Sequence, residues 1–270
     1  MEKNSHGGGG EMNQQERCLW LIQALLKDMP QYGDTPIPAS PDDRWRLLRS
    51  LMNVRPPMPV SEAFLQIQDA FLRQMTAEKG VLDAAALAPS AKDSRLVIWQ
   101  GDITTLKSDA IVNAANSQML GCFSPCHGCI DNIIHTMAGV QLRLACHELM
   151  QKQGHEEPTG QAKITPGFNL PARHVLHTVG PIVDGPLTRE HEQLLASCYT
   201  SCLNLAEENC LESIAFCCIS TGVFMFPNQR AAEIAVETVR NWLDETGSGM
   251  KVVFNVYKDL DLKIYTELCK

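Results

Sequence analysis

The sequence predicts an α/β protein, with a sheet covered by helices on both faces and a small helical region ahead of it. Two patterns carry this. Beyond Arg95, short apolar runs with the length of strands alternate with longer stretches of helical periodicity. Before Arg95 only helical patterns occur, separated by proline-rich turns. The size agrees: 270 residues, 44% hydrophobic and 20% charged, suit one large domain or two smaller ones, whose core needs no disulfides.

Residues 1–10 include Gly7 to Gly10, carry no periodicity and are expected to be a flexible tail. From Gln14 to Asp28, apolar residues at 18, 19, 21, 22, 25, 26 and 29 make one wide helical face, which the Pro30–Pro38 stretch ends. A second helix starts where Ser40 caps, Pro41 suits the first turn and Asp43 takes the capping-box place. Leu47, Leu48, Leu51 and Met52 give it a buried face, and Pro56, Pro57 and Pro59 stop it. Ser61 caps a third helix, whose apolar side holds Phe64, Leu65, Ile67, Phe71, Leu72 and Met75. Residues 11–90 therefore read as a helical extension that packs on the remainder of the chain. Trp45 beside Arg44, Arg46 and Arg49 marks either a partner surface or a packed tryptophan next to solvated arginines.

Residues 91–270 read as the α/β domain. Strands are expected at 96–100, 110–113, 175–179, 214–219 and 252–256, and helices at about 130–149, 190–209, 229–245 and 259–268. Ligands of such sheets bind beyond the carboxyl ends of the strands.

Composition excludes some functions. A net charge of −8, from 31 acidic and 23 basic residues, argues against binding nucleic acid by phosphate neutralisation. The apolar stretch Cys18 to Leu26 is about half the ~20 residues of a membrane span, and no leader pattern precedes it, so the expected place is the cytoplasm. Most of the 11 cysteines are scattered, as reduced buried thiols are.

Four loops concentrate polar chemistry. In Gly101-Asp102-Ile103-Thr104, an acid past a strand end suits a purine amino group or a ribose, or simply a turn. Asn113-Ala114-Ala115-Asn116 couples amide side chains to small residues that let a ligand approach. Ser220-Thr221-Gly222-Val223-Phe224, before a helix, presents backbone N–H groups to an anion. Cys122, Cys126, His127 and Cys129 put four potential ligands, of types that suit Zn²⁺, into one short segment. Three ligands with an open position suit a catalytic or ligand-binding metal, and a fourth thiol closes a structural one. Asp131, just beyond, can cap the next helix, orient water or bond a sugar. His135 reads as a packed helix residue.

In this order and spacing, these motifs, with Ile-Asp-Asn-x-Ile-His-x-x-Ala-Gly at 130–139 and the Gly/Pro-punctuated string at 159–181, resemble a macrodomain, the ADP-ribose-binding fold. The resemblance covers residues 96–268 and implies three α/β/α layers around a mixed sheet. Where hydrolytic macrodomains carry a glycine run, this chain has Cys122, His127, Gly128 and Cys129. That is similar to a zinc-containing microbial subfamily that removes ADP-ribose from modified proteins and has an N-terminal helical extension. Some members are encoded beside a sirtuin-type ADP-ribosyltransferase and a lipoylated carrier protein.

The resemblance implies Zn²⁺ on Cys122, His127 and Cys129, with Cys126 an extra thiol. It implies that Asp102 accepts from the adenine amino group, with Ile103 beside the ring. Asn116 and Asp131 then lie near the distal ribose, and Ile130 and Asn132 complete that loop. Ser220, Thr221, Gly222, Val223 and Phe224 wrap the diphosphate, and Met225, where many relatives have glycine, makes the loop bulkier. The implied reaction is hydrolysis of the bond between a protein side chain and the distal ribose. Asp131 activates water and Asn116 holds the sugar. ADP-ribose and mono-ADP-ribosylated protein are the implied partners, with no nucleic acid and no membrane. The alternatives are a non-catalytic ADP-ribose reader with structural zinc, a deacetylase of O-acetyl-ADP-ribose, and a purely structural zinc module.

Overall fold

The computed structural model describes residues 12–270, and the tail expected at 1–10 lies outside the described residues. Three helices come first: α1 (Gln14–Asp28), α2 (Pro41–Val54) and α3 (Glu62–Lys79). Each has a side-chain N-cap. Asn13 forms a capping box with Glu16, Ser40 accepts from the Asp43 amide, and Ser61 accepts from the Phe64 amide. Their apolar faces meet in a core of their own, built around Leu21, Ile22, Leu25, Leu48 and Leu72. Trp45 packs at its margin against Phe71, ring centroids 5.8 Å apart. Arg44 bonds the Pro38 carbonyl, so the packed-tryptophan reading describes this helix, apart from Arg49, which turns inward.

The main sheet has six strands in the order β2 (Leu96–Gln100), β8 (Lys251–Val256), β7 (Ser213–Phe216), β4 (Ala110–Ala115), β6 (His174–Val179), β5 (Ala162–Pro166). All neighbours pair parallel except β5 with β6. Two-residue strands β1 (Leu82–Asp83) and β3 (Leu106–Lys107) form a separate parallel pair. Helices α6 (Arg189–Glu208), α7 (Asn228–Thr246) and α8 (Asp259–Leu268) pack side by side. Helices α4 (Ile130–Ala138) and α5 (Val140–Gln153) form the other helical layer, with α4 touching both β4 and α2. Tyr199 on Phe216 and Phe254 on Tyr265 tie α6 and α8 to the sheet, with centroids 4.8 and 5.0 Å apart. No helix among the described residues is long and apolar enough to cross a membrane.

Three local expectations change. The helix expected at 130–149 is two helices, broken at Gly139, where φ is +96° and a Cβ would lie 2.6 Å from Gln68 and Gln141 side-chain atoms. The strand expected at 214–219 ends at Phe216; Cys217 and Ile219 are apolar because they enter the core as irregular backbone. The punctuated string at 159–181 encloses β5, a strand the apolar runs did not reveal because three of its five side chains are polar or proline.

The helical layer is bolted on by polar contacts. Gln68 of α3 accepts the Val140 amide at the start of α5 (2.9 Å), and Asp69 accepts from Gln141 and Asn169 (2.9 and 2.7 Å). Arg143 of α5 is buried; it donates to the carbonyls of Met52, Asn53 and Arg55 at the end of α2 and to that of Leu120. Burial pulls its guanidinium down to about 10, which leaves it charged at neutral pH. Replacing Arg143 by Met orphans these carbonyls and is expected to cost about 3 kcal/mol, read as a lower denaturant midpoint.

Candidate functional site

Parallel strands put Asp102, Asn116 and Ser220 in the loops at the carboxyl end of the sheet, after β2, β4 and β7 respectively. β4 and β7 are neighbours whose chains leave towards different helical layers, α4 and α7, so the loops after them flank the switch point of the sheet.

Asp102 caps its own turn: Oδ1 accepts from the Thr104 amide (3.0 Å) and hydroxyl (2.6 Å), and Oδ2 from Lys79 Nζ of α3 (3.0 Å). Burial pushes its carboxyl up, but the Thr104 and Lys79 hydrogen bonds and the ammonium charge outweigh this and hold it below the usual carboxylate range. Ile103 is buried, and its carbonyl accepts the Leu106 amide.

After β7, Ser220 takes a left-handed conformation (φ +63°), its hydroxyl buried without a hydrogen-bond partner among the described residues. Thr221 folds back on the Cys218 carbonyl, and the Phe226 amide on that of Ser220 (3.0 Å). The amides of Gly222, Val223 and Phe224 donate to nothing among the described residues, which leaves them available to an anion ahead of α7. Met225, also left-handed (φ +56°), turns its side chain to solvent.

The loop after β4 carries the densest chemistry. Gly121 (φ +78°) lets it pass over His135, whose ring a Cβ would meet at 2.8 Å. One ligand atom each from Cys122, His127 and Cys129 lie within 4.8 Å of one another. Cys122 Sγ is 3.7 Å from His127 Nδ1. Cys129 Sγ caps α4, accepting the Asn132 amide (3.4 Å), so this cap is a sulfur and not Asp131. Burial first, then the nearby Cys122 and Asp131, push the Cys129 thiol up to about 11. A bound cation reverses this, since a coordinating thiol is deprotonated outright. Two thiols and an imidazole this close fit Zn²⁺ with an open position.

Cys126 faces elsewhere. Its Sγ lies 3.3 Å from Ser50 Oγ and donates to the Arg46 carbonyl of α2. Cys126→Ser is therefore expected to keep the metal content of the parent, read by elemental analysis, while Cys122→Ser loses it.

Asp131 is buried two residues beyond Cys129. Asn113 Nδ2 donates to its Oδ1 (2.8 Å), and His135 Nε2 is 3.5 Å from the same oxygen. Burial pushes the carboxyl up to about 6, against the Asn113 bond and the Arg143 charge.

Residues 112–235 match the family model described as Macro domain. A relative from Treponema medium named protein-ADP-ribose hydrolase is 58% identical over 259 residues, 95% of this chain and 99% of the relative. The chain belongs to the macro-domain family. A protein of the same name from Staphylococcus aureus strain MRSA252 is 52% identical over 252 residues, 93% of this chain and 94% of that one. The crystal structure of the Trypanosoma brucei macrodomain in complex with ADP-ribose superimposes with a TM-score of 0.64 at 31% identity, covering 86% of this chain and 96% of that one.

Within this macro domain, the residues singled out from sequence divide. Asp131, the three candidate ligand residues and the 220–224 turn lie at or beside the switch point. Asn116 spends its amide on its own loop, accepting the Gln118 amide and donating to the Gly121 carbonyl (3.1 and 3.3 Å). Asn132 is fully buried, its side chain turned into the 122–129 loop. Ile130 is half-buried.

The residue that aims Asp131 is Asn113. Its Nδ2 also lies 3.2 Å from His177 Nδ1, while His177 Nε2 is 2.9 Å from Thr165 Oγ1 and 3.7 Å from Cys146 Sγ. Burial pulls His177 down to about 3, so the ring is neutral, accepts at Nδ1 and carries its proton at Nε2. His135, Cys146 and His177 also bring ligand atoms within 4.8 Å, but both nitrogens of His177 are already committed to Asn113 and Thr165, while those of His135 have no hydrogen-bond partner among the described residues. The available signal for Asn113 and His177 was a polar residue among apolar strand neighbours.

Proposed function

We propose that this chain is a protein-ADP-ribose hydrolase that removes mono-ADP-ribose from protein side chains, with Zn²⁺ held by Cys122, His127 and Cys129. The observation that carries the reading is the three-ligand cluster two residues ahead of a buried carboxylate fixed by an amide. The names and identities of the relatives support the reaction class.

In this reading ADP-ribose lies across the switch point. Asp102 accepts from the adenine amino group, sharing Oδ2 with Lys79. The free amides of Gly222, Val223 and Phe224 bond the diphosphate, which locates the distal ribose. Zn²⁺ supplies a Lewis acid at the sugar hydroxyls or at water. Asp131 Oδ orients the attacking water and takes its proton, while Asn113 holds the carboxylate in place. Asn116 shapes the loop around the sugar. A lipoylated carrier protein is one substrate this reading admits, and the cytoplasm is its expected place.

The test is release of free ADP-ribose from an automodified ADP-ribosylated protein by the zinc-quantified chain. Release supports the hydrolase. Tight ADP-ribose binding without release, across several linkage types, replaces it by the reader, and turnover of O-acetyl-ADP-ribose alone replaces it by the deacetylase.

A further inference from the structure

Resting on the zinc reading but going beyond it, we infer that helix α2 of the N-terminal layer clamps the metal loop, and that Arg49 is the positioning residue that holds the three ligand residues in register. Arg49 Nη2 donates to the His127 carbonyl and to Asn132 Oδ1, both at 2.8 Å. Asn132 completes the set. Its Nδ2 donates to the Cys122 carbonyl (3.4 Å) and the Ser124 carbonyl (2.9 Å), and its backbone amide donates to Cys129 Sγ (3.4 Å). The Arg49–Asn132 pair thus touches all three candidate ligand residues. One turn along α2, Asn53 Oδ1 accepts the Cys126 amide (2.9 Å) and supports its left-handed backbone (φ +51°).

Besides these, the loop is tethered by Cys126 Sγ at Ser50 and the Arg46 carbonyl of α2 and by Phe123, whose ring lies under the Arg143 guanidinium 4.2 Å from its centroid, and none of the three touches a candidate ligand residue. Phe123, Ser124, Pro125, His127 and Gly128 are exposed, so few apolar contacts order it and polar tethers decide its population. A guanidinium is suited to the task, because its rigid fork meets two acceptors at little further entropic cost. The role is separable from holding α2 in place: Arg143 grips the Met52, Asn53 and Arg55 carbonyls independently. Removing Arg49 therefore frees the loop while the helix stays docked.

The experiment compares the full-length parent with Arg49→Ala, Arg49→Lys and, as a control on the same helix, Arg46→Ala, whose side chain is 77% exposed. In the metal-free proteins, hydrogen exchange of residues 122–129 is expected to quicken in Arg49→Ala and not in Arg46→Ala. Zinc affinity, measured by competition with a chromophoric chelator, is expected to fall about 10–100-fold. The cobalt-substituted protein is expected to show shifted d–d bands. Arg49→Lys, which restores one donor, falls between. Turnover drops while ADP-ribose affinity stays within about twofold of the parent.

Parental exchange and parental metal affinity in Arg49→Ala overturn the clamp. A parallel fall in thermal midpoint and ADP-ribose affinity also overturns it, since that marks Arg49 as general packing. A parent that takes up no zinc defeats the zinc reading instead, and the metal-free exchange then judges the clamp by itself.

Discussion

Replacing Asp131 by Ala is expected to lower ADP-ribose release from a modified protein by about 10²–10⁴-fold, the usual worth of a positioned general base, while ADP-ribose still binds. The carboxylate is buried and its Oδ1 is held by Asn113, so its position is set before substrate arrives. The turn at 222–224, proposed to bind the diphosphate, lies on a different loop, after β7, and is untouched by the change. Affinity for the product therefore survives. Single-turnover release and calorimetric titration with ADP-ribose measure the two quantities separately. Near-parental turnover with lost binding would make Asp131 a ligand contact and not the base. Asn113→Ala removes the amide that aims the carboxylate and is expected to give a smaller loss in the same direction, because Asp131 remains.

Stripping the metal is the second large effect. A strong chelator is expected to abolish release, and adding zinc back to restore it. Cys129→Ser is expected to mimic the chelator, because Cys129 both belongs to the ligand cluster and caps α4. The thermal midpoint gives an independent readout. Zinc bound to the folded chain alone, at 100 times its dissociation constant, adds about 2.7 kcal/mol. The parent is therefore expected to melt at lower temperature after chelation, whereas Cys129→Ser is expected to show no such shift. Release that persists after complete metal removal would leave the cluster a structural one.

Much of this was legible in the amino-acid order. The first three helices follow from capping residues and apolar spacing, and appear within a residue or two of where those signals lie. The ligand spacing selected Cys122, His127 and Cys129 only with the help of a family resemblance, and the geometry groups the same three. Local signals failed where a partner outside the segment decided the outcome. Gly139 breaks a helix because Gln68 of α3 occupies the space a side chain would need. β5 is a strand because β6 pairs with it antiparallel, despite its proline and polar side chains.

Helical period, caps, turn residues and the crowding of ligands into one loop depend on neighbours within a few residues, and so the sequence by itself determined them. Tertiary structure alone decided the strand order, the pairing of Asn113 with Asp131, the turning of Cys126 away from the other two thiols, and the reach of Arg49 to a loop more than seventy residues downstream. The Asn113–Asp131 pair is satisfied in a dry interior, while the Cys126 and Arg49 contacts are exposed tethers, and all three join groups that only folding brings together. The cost of leaving a buried polar group unpaired selects its partner, and that cost exists only once the chain has folded around it.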